Sequence, residues 1–86
     1  MAYNVAYKSS VEKDLNRIDK KQAKRIIDAV ENELAEAPRK KGEPLHGEFD
    51  GLWRFVVGQY RVVYEIFDGE EIIRVDRIGH RKDVYR

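Results

Sequence analysis

Two tight-turn signals in the second half of the chain, Gly58-Gln59 and Asp68-Gly69, constrain its fold more than any other feature. They separate three runs rich in β-branched and aromatic residues: Leu52 to Val57, Tyr60 to Phe67, and a third ending near Ile78. A glycine-first pair suits a two-residue hairpin turn, and Asp-Gly between such runs is a strong hairpin signal. The spacing therefore predicts three consecutive antiparallel strands. With a two-residue turn at Gly58-Gln59, Val57 faces Tyr60 and Arg54 lies opposite Val63. Side chains alternate along a strand. Arg54, Val56, Arg61 and Val63 then share one face, and Phe55, Val57, Tyr60, Val62 and Tyr64 share the other. A second turn of two or four residues keeps that parity. It adds Arg74, Asp76 and Ile78 to the arginine face, and Ile73 and Val75 to the opposite one.

The first half supplies the layer that covers the apolar face. Tyr3 to Tyr7 reads as a short strand. Ser9 and Glu12 have the spacing of a capping box, and Val11, Leu15 and Ile18 follow at helical intervals. Asp19 with Gln22 opens a second helix in the same way. Its stripe is Ala23, Ile26, Ile27, Val30 and Leu34, and Pro38 is expected to end it. Almost no linker separates the two helices, so an antiparallel helical hairpin is expected. Arg39 to Gly51, with three consecutive basic residues, glycines and Pro44, reads as a loop. The order is βααβββ and the class is α+β: a helical hairpin packed on one face of a mostly antiparallel sheet.

Length and composition narrow the chemistry. At 86 residues the chain has room for one domain, spanning 1–86. The absence of cysteine excludes disulfides and thiolate metal sites and fits a reducing compartment. His46 and His80 are too few for a histidine-based zinc site, so no metal or cofactor is implied. The N-terminus lacks the charged and apolar regions of a signal peptide, and no apolar run approaches a membrane span. The expected location is the cytoplasm, with no membrane partner.

Seventeen Lys and Arg against 16 Asp and Glu leave a net charge of +1, so charge distribution rather than its total must carry any nucleic-acid signal. Arginine within an apolar strand needs a reason, because a buried unpaired charge is costly. A lone strand arginine usually solvates the sheet in a surface ion pair, and Arg74 could pair in this way with Glu65 or with the neighbours of Asp76. Arg54 and Arg61 converging on an uncovered face form instead a cradle for an anion, since guanidinium grips phosphate through two parallel hydrogen bonds.

The stretches Leu45-His46-Gly47, Leu52 through Tyr64 with its Gly-x-Tyr-Arg-Val-x-Tyr hairpin, and Gly79-His80-Arg81-Lys82-Asp83-Val84-Tyr85 resemble the RelE/ParE toxin superfamily, over nearly the whole chain. The resemblance implies a RelE-like toxin of a type II toxin–antitoxin module with a microbial-ribonuclease-like fold. By the same resemblance it is a metal-independent endoribonuclease, an mRNA interferase cutting message in the ribosomal A site and inhibiting translation. The family's catalytic arginine falls on Arg61, its C-terminal arginine on Arg81 and its terminal aromatic on Tyr85. One family lysine corresponds to Arg54, and a second falls on Leu52 and is absent. Imidazole is the side chain best suited to proton transfer near neutral pH, which makes His80 a candidate for that role. Lys13, Arg17, Lys20, Lys21, Lys24 and Arg25 on the helices, with Arg74, are candidate RNA- or ribosome-binding residues. The implied partners are a RelB-like antitoxin, the ribosome and mRNA, with a monomeric toxin inside a toxin–antitoxin hetero-oligomer. The competing readings are a ParE-like DNA gyrase inhibitor and a non-catalytic binding module on the same fold.

Overall fold

The structure, a computed structural model, describes residues 2–85. Strand β1 (Asn4–Tyr7) leads into helices α1 (Ser10–Asn16) and α2 (Lys20–Asn32), and a single 3-10 turn (Leu34–Glu36) joins these to a short helix α3 (Pro38–Lys41). Then come β2 (Glu43–Pro44), β3 (Trp53–Val57), β4 (Tyr60–Phe67) and β5 (Ile72–His80). The sheet runs β1-β5-β4-β3-β2, with β1 parallel to β5 and the other pairs antiparallel. The class is α+β, helices packed against a five-stranded sheet.

The first half departs from its expected boundaries in three places. Ser9 is in a helical conformation and its side chain makes no cap hydrogen bond, so the capping box does not form. Asp19 does cap α2, accepting from the Lys21 N–H at 3.1 Å. Pro38 does not end α2, which stops at Asn32; it opens α3 instead. Proline is well suited there, because the first helical residue has no intrahelical use for an N–H. The segment read as a loop therefore contains α3 and β2, and β2 pairs Glu43 with Arg54 and Pro44 with Trp53.

The β3–β4 register is the one the two-residue turn dictates, with Val57 opposite Tyr60, Arg54 opposite Val63, and Gly58 at φ +57. The next connection is a four-residue loop, 68–71, between the partners Phe67 and Ile72. Arg39 fixes it by donating from both ends of its guanidinium to Asp68, at 2.9 and 2.6 Å, which holds that carboxyl below its usual range.

A bulge then changes the parity of β5. Val63 pairs with Arg77 but Tyr64 pairs with Val75, leaving Asp76 as an extra residue. Beyond it the faces exchange. Ile78, expected on the arginine face, turns into the core opposite Val62, and Arg77 takes its place beside Arg54 and Arg61. The core itself joins Val11, Ile26, Val30 and Leu34 from the helical layer to Phe55, Val57, Val62, Tyr64, Ile73, Val75 and Ile78 of the sheet. Each such side chain contributes about 1.5–3 kcal/mol on burial.

Because β1 pairs only with Ile72 to Val75, the later part of β5 loses its neighbour on that side. The Ile78 N–H donates instead to the Asp14 carboxylate of α1 at 3.1 Å. Asp14→Ala leaves that backbone donor without its partner. The expected cost is about 1–3 kcal/mol, read as a lower urea midpoint with unchanged slope.

Candidate nucleic-acid interface

The sheet face away from the helices carries the candidate cluster. Arg54 lies opposite Val63 and Arg61 opposite Val56, so the two arginines are diagonal neighbours on adjacent strands. Such positions are separated by roughly 7–8 Å, a distance two long side chains span to grip one phosphate. Arg61 is half-buried, and its Nη1 donates to the carbonyls of Tyr60 at 3.2 Å and Gly58 at 3.4 Å. No carboxylate among the described residues forms an ion pair with it. From the helical layer, Arg25 reaches the same turn, its Nη1 3.5 Å from where a Cβ on Gly58 would stand. Arg81 completes this end: its N–H donates to the Gln59 carbonyl at 2.9 Å and the residue is exposed.

Arg54 is engaged differently. Its Nη2 donates to Glu43 at 2.8 Å across the β2–β3 pair, and this bond, with the neighbouring Tyr85 phenol, raises its pKa. The side chain is 38% exposed and Glu43 is 67% exposed, so an incoming phosphate competes with a surface ion pair worth about 0–1 kcal/mol.

The C-terminal residues fold back over the centre of this face. Val84 lies 3.6 Å from the Cβ position of Gly79 and is buried, as is Val63. The Val84 carbonyl accepts from Arg77 Nη1 at 2.6 Å. Tyr85 sets its ring against Phe49, with centroids 5.5 Å apart. Its hydroxyl and Arg54 Nε are both shielded from solvent, and neither makes an aligned hydrogen bond among the described residues.

Other candidates are placed elsewhere. Arg74 is on the expected face but is held by Glu65 and by Asp76, the latter at 2.8 Å, and stacks 5.4 Å from the Phe67 ring centroid. Those three neighbours leave it a structural cation rather than an open anion contact. His80 pairs with Tyr60 and meets its ring edge-on at 5.9 Å, which puts it on the face opposite Arg61; its Nδ1 accepts from the Lys82 N–H at 3.3 Å. Lys13, Arg17, Lys20, Lys21, Lys24 and Arg25 are exposed on the helical layer, with Lys24 paired to Asp28 at 3.3 Å. None of them is brought to the Arg54–Arg61 pair, and Arg25 reaches only the Gly58 turn. Arg77, in contrast, joins the face only because of the bulge. The break in alternation after Val75, a charge where an apolar residue is due and Ile78 where a polar one is, was the available signal.

A family model for the ParE toxin of type II toxin–antitoxin systems, parDE, matches residues 5–85. The chain belongs to this toxin family. This toxin is 34% identical over 84 residues to Toxin RelE of Mycobacterium tuberculosis, covering 98% of this chain and 87% of that protein. Toxin RelG of the same organism is 28% identical over 86 residues, covering 100% and 99%. A chain in the crystal structure of the RelBE2 toxin–antitoxin complex from M. tuberculosis aligns with a TM-score of 0.90 at 25% identity, over 94% of this toxin and 100% of that chain. The isolated E. coli RelE toxin shares the fold, with a TM-score of 0.76 at 22% identity over 98% and 92%. No helix of this toxin among the described residues is long and apolar enough to cross a membrane.

Proposed function

We propose that this toxin is an endoribonuclease that cuts ribosome-bound message by metal-independent attack of a ribose 2′-hydroxyl on the adjacent phosphate. The observation that carries this reading is the diagonal placement of Arg54 and Arg61 on the sheet face away from the helices, with Tyr85 folded against Arg54. In-line attack builds negative charge on the phosphoryl oxygens. Arg61 and Arg81 are the groups assigned to that charge and Arg54 is a third contact, because fixed donors aimed at developing charge are worth most where they need no reorganisation. Tyr85 is assigned to stacking on a base or positioning the 2′-hydroxyl, stacking being worth about 1–3 kcal/mol. The helical cations Lys13, Arg17, Lys20, Lys21 and Lys24 are on the opposite layer and suit docking on ribosomal RNA while the sheet faces the message, with Arg25 at the Gly58 turn between the two. RelB accompanies the toxin in the M. tuberculosis and E. coli complexes, and a RelB-like antitoxin is the partner proposed here.

A gyrase-directed activity is the second reading, favoured by the family model that describes ParE toxins, whereas Leu52 in place of a family lysine favours a non-catalytic module on the same fold. Purified toxin added to ribosomes translating a defined message separates the two. Primer extension is expected to show breaks in register with codons. An intact message together with inhibited supercoiling by gyrase would replace the first reading with the second.

A further inference from the structure

Attack by a 2′-hydroxyl requires a group that takes its proton, and the guanidinium cluster has none to offer, since arginine stays charged at any physiological pH. His80 faces the other side of the sheet. Besides Glu43, which is engaged by Arg54, the arginine face holds among the described residues a second set of carboxylates, at the end of β4 remote from the Gly58 turn. Trp53 pairs with Tyr64, so Leu52 stands beside Glu65, and Glu65 in turn pairs with Arg74. The bulged Asp76 turns toward the same place, and Arg74 bridges it to Glu65. Leu52, Glu65, Asp76, Arg77 and Tyr85 line a common cavity of about 270 Å³. The carboxylates therefore share a cavity with the aromatic that contacts Arg54, within the same face as the phosphate cradle.

We propose that the Glu65–Asp76 carboxyl pair is the proton acceptor for the 2′-hydroxyl in this toxin; the inference rests on the ribonuclease reading above. Glu65, 28% exposed against 13% for Asp76, is the member that meets the ribose, and Asp76 backs it. Asp76 keeps the face that strand alternation gives it, and the bulge exchanges the faces only beyond it. Burial and the neighbouring Glu65 push the Asp76 carboxyl up to about 6, while Asp76 and Arg74 lower that of Glu65. The other charged or titratable groups facing the pair are Lys8, at the end of β1, with Arg77 and Tyr85, and Asp76 also lines a neighbouring cavity with Asp14, Arg17, Tyr60, His80 and Asp83. The pair thus gains and loses one proton just below neutral pH, where a general base is most effective.

In the step itself, the 2′-O–H bond breaks and its proton passes to the carboxyl pair as the 2′-oxygen bonds to phosphorus. The phosphorus–5′-oxygen bond breaks with its electron pair on oxygen, beside Arg81, and that oxygen takes a proton from water. The hydroxide formed then recovers the proton from the carboxyl pair. No metal or redox partner enters the balance.

Single-turnover cleavage on programmed ribosomes between pH 5 and 8 tests this, with wild-type toxin, Asp76→Asn and Glu65→Gln. Wild type is expected to gain rate as pH rises through about 6, as the pair ionises. Asp76→Asn is expected to lose about 10²-fold at pH 7 together with that rising limb, and Glu65→Gln, which removes the carboxylate that meets the ribose, to lose at least as much. Wild-type rates and pH dependence in Asp76→Asn would overturn the assignment while leaving the ribonuclease reading intact. A wild-type toxin that cuts no message would overturn both. Carboxyl NMR of the unsubstituted toxin needs no variant to fold: an Asp76 midpoint near 6 supports the pair, and one near 4 rejects it.

Discussion

Arg61→Ala is expected to lower the single-turnover rate of message cleavage by roughly 10²–10³ while moving the thermal midpoint by no more than about 3 °C. The two halves of this expectation have different structural origins. Arg61 Nη1 meets only carbonyls, at 3.2 and 3.4 Å, and no carboxylate among the described residues pairs with it. Folding therefore gains little from the charge. A pentacovalent phosphate gains much from it, because the guanidinium is fixed at the β3–β4 turn before substrate arrives. Arg61→Lys keeps the charge without the two-pronged geometry and is expected to fall between alanine and wild type. An alanine variant that cuts as fast as wild type would remove Arg61 from the chemistry. One that unfolds would show that the residue holds the turn instead.

The largest expected effect on stability belongs to Tyr64. Its side chain is fully buried at the centre of the sheet, its ring 6.4 Å from that of Trp53, and its hydroxyl donates to the Pro38 carbonyl at 2.6 Å. A Cβ on Gly42 would overlap the same hydroxyl, so the chain from Pro38 to Gly42 is moulded around the phenol. Tyr64→Ala removes a large core side chain and should cost about 3–5 kcal/mol. That is a large share of the roughly 5–15 kcal/mol available to a domain. Tyr64→Phe keeps the ring but strands the Pro38 carbonyl, at about 1–3 kcal/mol. Urea titrations of both variants check the order. Equal midpoints for Phe and wild type would mean that the hydroxyl contributes nothing. The effect reaches the candidate site, because α3 leads directly into β2, whose Glu43 faces Arg54.

Particular residues explain what the sequence discloses and what it withholds. The β3–β4 register is readable because glycine at a positive φ makes a tight turn whose parity propagates through Arg54 and Arg61. The amphipathic stripe of α2 is equally plain, since Ile26 and Val30 have one environment that suits them. The bulge at Asp76 is harder. It is a property of two strands meeting, and strict alternation extrapolated from Ile73 sends Ile78 to the wrong face. Pro38 shows the same limit, since proline is compatible with stopping one helix or starting another. β2 is two residues long and contains Pro44, so nothing in its composition signals a strand; it exists because Tyr64 fixes the chain before it. The candidate site divides along the same line. Residues whose positions follow from hairpin parity, Arg54 and Arg61, are anticipated. The Arg74–Glu65 pair follows from the same parity, whereas the second hold by Asp76 and the separation of His80 from Arg61 depend on tertiary neighbours that spacing does not reveal.

The most direct test of the central proposal, an arginine-lined sheet face that directs a ribose hydroxyl at its own phosphate, is the chemistry of the cut ends. Message cleaved by the toxin on ribosomes should be recovered and its termini resolved by mass spectrometry. The account predicts a 2′,3′-cyclic phosphate on the upstream fragment and a 5′-hydroxyl on the downstream one. Fragments bearing a 3′-hydroxyl and a 5′-phosphate would mean that water, not the ribose, attacks, and would contradict it.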